Sequence, residues 1–516
     1  MTMMPAPLYR RAMDSLVPML FWLFVAAALL IALPHYAWDY KSHAIVALGL
    51  IGVWRYSWYL VNQLRGTYFD RIHFPAMRRE VEKIRSSHPP RLYVMVMSYR
   101  EDTEISARVF RALTQELLSL PSRSTVVVSV GSEAEALHIR SVVNMVAGSE
   151  RLALQFLQQS QGKRIAMGYA LRRIARDFND PASWNPAADR DLVVFMDGDS
   201  LITAGAVRRT IGFFRLNTRL GGLTTNEDAE VLNGSLLATE WYKLRFARRH
   251  AMMKSHALSG KVMTLTGRFS VFRAPLVLSE NFIRGVEDDH LNHWLFGRFR
   301  FLMGDDKSTW FHLLRDGWSM LYVPDVMVYS LESRTNSFFK LTVPLIFRWN
   351  GNMLRNNARA LALGPARTGR FIWLAILDQR ISMWTTFAGP VSAVLLAVTQ
   401  SWVYLVFYLV WVIVTRLVQL AVLVTQGKTI TIVDLPLQLF DQWIGSAVKI
   451  YASFHLAQQS WSKSTKQTTP SAATTTVTPT SNSTLARALM TFHLTLLLTL
   501  LALGAGALKL PALRLL

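Results

Sequence analysis

The stretch LVVFMDGD, residues 192–199, decides how this chain is read. Leu192 to Met196 is apolar without interruption. A strand with one wet face would alternate, so the run predicts a strand covered on both sides. It ends on Asp197-Gly198-Asp199, two carboxylates around a glycine. Similar runs precede it: LYVMVMS (Leu92–Ser98), TVVVSV (Thr125–Val130) and LALQFL (Leu152–Leu157). Helical stretches separate them, which predicts an α/β sheet with all four runs as central strands. Ligands of such sheets bind beyond the carboxyl ends of the strands.

Chemistry is therefore sought in the residues just after each run. Asp197 and Asp199 can hold a divalent cation that bridges a diphosphate, because hard cations take oxygen ligands. The same three residues also make an ordinary turn, but a position at the end of a buried strand favours the cation. After the first run stand Tyr99-Arg100-Glu101-Asp102. Lys163, in Gln161-Gly162-Lys163-Arg164 ahead of a helical stretch, either neutralises a phosphate or is an ordinary surface cation. Further on, Gly304-Asp305-Asp306-Lys307 sets two carboxylates side by side. Such a pair can hold one group poised as a general base, in a hydrolase as well as in a transferase. Trp349, beside Arg348, can stack on a sugar ring or anchor at a membrane interface.

The chain has 516 residues, 56 basic and 34 acidic, for a net charge of +22. It is 51% apolar, with a mean hydropathy of +0.22. This excludes a disordered chain, a collagen or a small secreted scaffold. With no cysteine there is no disulfide, thiolate metal site or cysteine nucleophile. The apolar residues are bunched. Leu16–Leu33 is uncharged and long enough to span a bilayer, and Ala44–Val61 carries only Arg55. Ile381–Thr415 has no charge and fits two spans joined at Gln400-Ser401. Leu435–Ala457, with Asp441 and Lys449, reads as spanning, re-entrant or interfacial, and Ala488–Leu508 is the last candidate. Seven basic residues between Arg65 and Arg91, against Lys41 alone between Pro34 and His43, place region 65–370 in the cytosol. Ser462–Thr484 has fourteen Ser or Thr in twenty-three residues and reads as a flexible linker.

Taken in order, Tyr99-Arg100-Glu101-Asp102, Gly162-Lys163, Asp197-Gly198-Asp199, Thr266-Gly267-Arg268, Gly304-Asp305-Asp306 and Arg348-Trp349 stand between membrane segments. That combination resembles the processive family 2 glycosyltransferases, among them cellulose, chitin and hyaluronan synthases. Longer runs extend the likeness: EWYKLRFARRH (240–250), TGRFSVFR (266–273), FRFLMGDDKSTW (299–310) and DQRISMW (378–384). They are similar to the glycosyltransferase subunits of bacterial alginate polymerases, over residues 45–465.

The resemblance implies a fold and an organisation. A GT-A (nucleotide-diphospho-sugar transferase) cytosolic domain of the α/β class would be inserted between transmembrane helices. The expected segments are an N-terminal membrane hairpin (1–64), a basic connector (65–90), the GT-A domain (91–345), acceptor-site and interfacial helices (346–380), membrane helices (381–460), the Ser/Thr-rich linker (461–484) and a last membrane helix (485–516).

It also implies roles. Glu101, Asp102, Lys163 and Asp197 would bind the donor, and Asp199 with Asp197 would bind Mg2+ or Mn2+. Thr266, Gly267, Arg268, Arg348 and Trp349 would bind the acceptor, although Leu345 stands where the family motif has glutamine. In cellulose synthases the catalytic aspartate stands eleven positions before the glycine of an Arg-Gly-Trp. Here that element reads Arg315-Asp316-Gly317-Trp318, so the count falls on Asp306, ahead of Asp305 and of Glu287-Asp288-Asp289. Lys307 completes the implied catalytic group.

The implied reaction is inverting polymerisation of mannuronate from GDP-mannuronate into β-1,4-polymannuronate, with coupled translocation at a bacterial inner membrane. Implied partners are a cyclic di-GMP-binding PilZ-type membrane subunit and periplasmic and outer-membrane export proteins. Between Arg208 and Arg273 twelve basic residues face four acidic ones, which suits either a uronate polymer or anionic lipid. Other readings are a synthase of a hyaluronan-, chitin- or cellulose-like polymer and a non-catalytic membrane scaffold. No nucleic-acid partner is expected, since no basic tail or aromatic-interleaved basic stretch is present.

Overall fold

A computed structural model describes residues 8–39, 43–84, 89–181, 190–333, 336–459 and 479–508. The four apolar runs become β1 (Leu92–Met97), β2 (Ser124–Val130), β3 (Ala153–Gln158) and β4 (Leu192–Asp197). They lie parallel in the order β3-β2-β1-β4. Six further strands follow: β5 (Ser200–Ile202), β6 (Leu220–Leu232), β7 (Phe269–Arg273), β8 (His290–His293), β9 (Gly297–Arg300) and β10 (Ser319–Ser333). The main sheet continues past β4 as β7-β6-β10-β5. β7 is antiparallel to both neighbours, while β6 and β10 are parallel. The sheet is therefore mixed.

β1, β2 and β4 are central and buried, as expected. β3 is not. It closes one edge of the sheet with only β2 beside it, and its end residues Ala153 and Gln158 are exposed. Its apolar composition looks like that of a central strand, but the number of neighbours decides burial, and an edge has one. Helices cover both faces. In Thr103–Leu118 the spacing of Ile105, Val109, Phe110, Leu113 and Leu117 builds one apolar stripe, and all five are buried.

Among the described residues, four segments are long and apolar enough to cross a membrane: Arg11–Ile31, Arg370–Thr399, Val403–Thr425 and Thr484–Gly504. Leu8–Ile31 packs along Val403–Thr425, and Ala388–Thr399 packs against both Val403–Thr425 and Pro479–Gly504. The other expected arm of the N-terminal hairpin is the helix His43–Tyr68, which is not among the four. Its Arg55 binds Asp378 at 2.7 Å, and its length runs against Leu236–Ala257. The ambiguous stretch at 435–457 forms the helix Asp434–Ser453, also outside the four, packed on Phe338–Ala362.

Two expected boundaries move. The division at 345/346 falls inside the single helix Phe338–Ala362. The Ser/Thr-rich segment lies outside the described residues from 461 to 478, and from Pro479 onward it is helical. A second apolar cluster, with Trp241, Tyr242, Leu345, Leu417, Leu420 and Leu435, joins the sheet domain to the membrane helices.

Candidate active site

The carboxyl ends of β1 and β4 open into a cavity of about 600 Å3. Glu101, Lys163, Asp197, Asp199, Asp305 and Asp306 line it, as do Lys307, Thr266, Gly267, Arg268, Arg348 and Trp349. One expected donor residue lies elsewhere. Asp102 accepts the Glu104 N–H at 2.8 Å and caps the helix Thr103–Leu118, so its carboxylate is spent on backbone donors. Of that pair, Glu101 alone lines the cavity.

Lys163 opens the helix Lys163–Asn179 directly after Gly162. Its ammonium lies 2.7 Å from Asp197 and 2.9 Å from Asp305, tying the end of β4 to the start of the helix Asp305–Arg315. Burial disfavours the charge, but the two carboxylates outweigh it and hold the Lys163 pKa above that of an ordinary lysine. Gly267 closes over this pair. A Cβ there would sit 3.0 Å from Asp197 Oδ2 and 3.1 Å from Lys163 Nζ.

Asp197 and Asp199 are the candidate cation ligands. Among the described residues no group of three or more His, Cys, Asp or Glu is gathered as a metal site. The chain thus offers two carboxylates facing a cavity. That suits a hard cation which completes its oxygen shell from a diphosphate and water, as magnesium commonly does.

Asp305 and Asp306 occupy the first turn of their helix, where the dipole favours negative charge. Gly304 precedes them at φ +80°, a left-handed cap that glycine adopts without strain. The two neighbours then diverge. Burial raises the Asp305 pKa, but Lys163 and Arg164 overrule it and hold the carboxyl below the ordinary range. Asp306 is pushed up by burial and by charged Asp305, against the opposing pull of Lys307. Its Oδ2 accepts Thr264 Oγ1 at 3.2 Å. One carboxylate is locked in an ion pair, and the other is a raised carboxyl at the cavity wall. Environments that push neighbouring carboxyls apart in this way suit a general base.

Lys307 donates to the Met263 carbonyl, and burial pushes its pKa down to about 8. Replacing it by methionine removes a positive charge that favours ionised Asp306. A base acts only when ionised, so Lys307→Met is expected to move the acid limb of the kcat/KM profile to higher pH. An unmoved limb would show that Asp306 is not the group titrating.

The neighbouring acidic cluster is structural. Glu287 binds Arg172, and Asp289 takes a two-pronged bond from Arg359 at 2.6 and 2.9 Å. Neither lines the cavity.

At the far end Trp349 stacks on Trp241, ring centres 5.7 Å apart and planes 10° from parallel. Arg245, Arg248, Arg249 and Asp441 line the same cavity and were not expected there. A signal existed in the run EWYKLRFARRH. On a helix, Trp241, Arg245 and Arg248 or Arg249 share one face.

A mixed sheet with an acidic pair at a strand end, a lysine opposite it and a raised carboxyl on a helix start defines a GT-A nucleotide-sugar glycosyltransferase. Residues 89–352 match the family model described as "Glycosyltransferase like family 2", and this chain belongs to that family of enzymes. It is 39% identical to Glycosyltransferase alg8 of Pseudomonas syringae pv. tomato over 86% of this chain and 89% of that protein. It is 37% identical to Glycosyltransferase alg8 of Azotobacter vinelandii over the same shares. Among solved structures it is similar to a mannosyltransferase from Pyrobaculum calidifontis in complex with GDP-Man and Mn2+. That likeness has a TM-score of 0.41 at 15% identity, over 76% of this chain and 97% of that one.

Proposed function

We propose that this glycosyltransferase polymerises mannuronate from GDP-mannuronate into β-1,4-polymannuronate, the alginate chain, and feeds the product into its own membrane helices. One observation carries the reading. One cavity is lined by Asp197, Asp199, Lys163 and Asp306, by Trp349, and by Asp441 of the helix Asp434–Ser453. The residues assigned to donor, base and sugar platform thus share one space with Gln379 of the candidate membrane segment Arg370–Thr399. The alg8 relatives support alginate as the polymer.

Each part of the cavity has a task in this reaction. Lys163 and the N-terminus of its helix meet the diphosphate, where backbone N–H groups and positive charge favour an anion. A divalent cation on Asp197 and Asp199, when bound, would offset the charge developing on the departing GDP. Asp306 takes the proton of the acceptor hydroxyl as its oxygen attacks the sugar C1 on the face opposite GDP, which inverts that carbon. Trp349 stacks on the acceptor sugar. Membranes holding this chain and its co-expressed partner, fed radiolabelled GDP-mannuronate, should yield a high-mass product degraded by an alginate lyase. Polymer from a neutral or amino-sugar donor instead would replace the mannuronate assignment.

The basic residues of the 65–91 segment support a cytosolic catalytic domain at a bacterial inner membrane, where nucleotide sugars are made. A cyclic di-GMP-binding membrane subunit and export proteins complete the proposed assembly. In this cysteine-free chain, a cysteine at exposed Ser141 reports the orientation. Ser141→Cys should resist a membrane-impermeant thiol reagent in intact cells and react after lysis. Labelling before lysis would invert the topology.

A further inference from the structure

Beside the sugar platform lies a charge cluster that a neutral polymer would not need. Asp441 Oδ1 accepts Arg245 Nη1 at 2.7 Å and Trp241 Nε1 at 3.3 Å, and Asp441 Oδ2 accepts Arg248 Nη1 at 3.2 Å. The Arg245 guanidinium carbon stands 4.7 Å from the centre of the Trp349 ring. Both arginines line the cavity and keep about a quarter to a third of their side chains exposed, at 26% and 32%. Two guanidiniums share one carboxylate, so the cluster keeps an excess positive charge. Arg249 beside them binds Glu227 at 2.8 Å, a carboxylate that it shares with Arg268 at 3.1 Å.

We propose that Arg245 and Arg248 form a subsite for the carboxylate of a uronate unit in the growing chain, with Trp349 stacking on a sugar face. The subsite rests on the polymannuronate reading above. A guanidinium presents five N–H donors in a fork that matches a carboxylate in two-pronged geometry, and the bonds to Asp441 use Nη1 alone of each arginine. Asp441 is itself a carboxylate held in this place. It holds both arginines while no polymer is bound, and a hexuronate carboxylate competes for the same donors. The three groups come from two helices far apart in the chain, Leu236–Ala257 and Asp434–Ser453, so a uronate there would bridge them.

The test uses the full-length protein in detergent with fluorescently labelled tetramannuronate, mannotetraose and GDP. The double variant Arg245→Gln/Arg248→Gln should bind tetramannuronate roughly tenfold more weakly or worse, with mannotetraose and GDP unchanged. The difference should shrink as salt rises. Equal tetramannuronate binding, or equal losses for both sugars with GDP retained, would overturn the subsite. If the double variant also loses GDP, Asp441→Asn decides: removing the competing carboxylate should tighten tetramannuronate binding, and unchanged or weaker binding overturns the proposal. An unaltered protein that binds no tetramannuronate would sink the polymannuronate reading itself.

Discussion

Asp306→Asn is expected to stop polymer synthesis while leaving GDP-sugar binding intact. The amide keeps the size and the bond from Thr264, but it cannot take a proton from an attacking hydroxyl. Loss of a general base costs about 10²- to 10⁴-fold in rate, and here it should appear in kcat with little change in the donor's KM. Asp305→Asn should behave differently. Asp305 is held by Lys163 at 2.9 Å, so its loss loosens the ammonium proposed to meet the diphosphate and should weaken donor binding. Equal losses of kcat from both variants, with donor binding unchanged, would show that the wrong member of the pair carries the proton.

A comparable loss is expected from Asp199→Asn, this time through the leaving group. Asp197 shares its charge with Lys163 at 2.7 Å, and Asp199 is the second carboxylate that lines the cavity just past the end of β4. Removing preorganised charge at a leaving group costs about 10²- to 10³-fold. The variant should accumulate in the membrane at normal levels, and raised Mn2+ or Mg2+ should partly restore its activity. Near-normal synthesis by Asp199→Asn at limiting cation would remove the metal assignment.

The physical chemistry of short segments accounts for much of this molecule. A strand needs only its neighbours in sequence to show that it is apolar throughout, and β1, β2 and β4 were legible on that basis. The same holds for the spans at 11–31 and 403–425, since a bilayer sets a length and a polarity that one helix meets by itself. Asp197-Gly198-Asp199 was legible as a candidate site because a strand end points its loop at the ligand face of the sheet, and all three residues line the cavity. The Asp305-Asp306 pair was legible as a candidate for chemistry, and both residues line the cavity. The preference for Asp306 came from a family spacing, and the structure adds a physical contrast between the two carboxyls.

Other features depend on distant partners, which no local pattern encodes. The composition of β3 resembles that of a central strand, yet it sits at the edge because, among the described residues, no later strand pairs with its free side. Asp102 and Glu101 are adjacent in the chain. The helix that starts at Thr103 takes one carboxylate as its cap and leaves the other to the cavity. Lys163 acquires its raised pKa only where Asp197 and Asp305 converge on it. Asp441 meets Arg245 across 196 positions of sequence. Burial, pairing and charge balance are sums over everything packed around a group. Segment type and candidate chemistry could therefore be read from residues in sequence order, whereas which carboxylate caps a helix, which pairs with a lysine and which lines the cavity unpaired with Lys163 depends on the packing of helices and strands far apart in the chain.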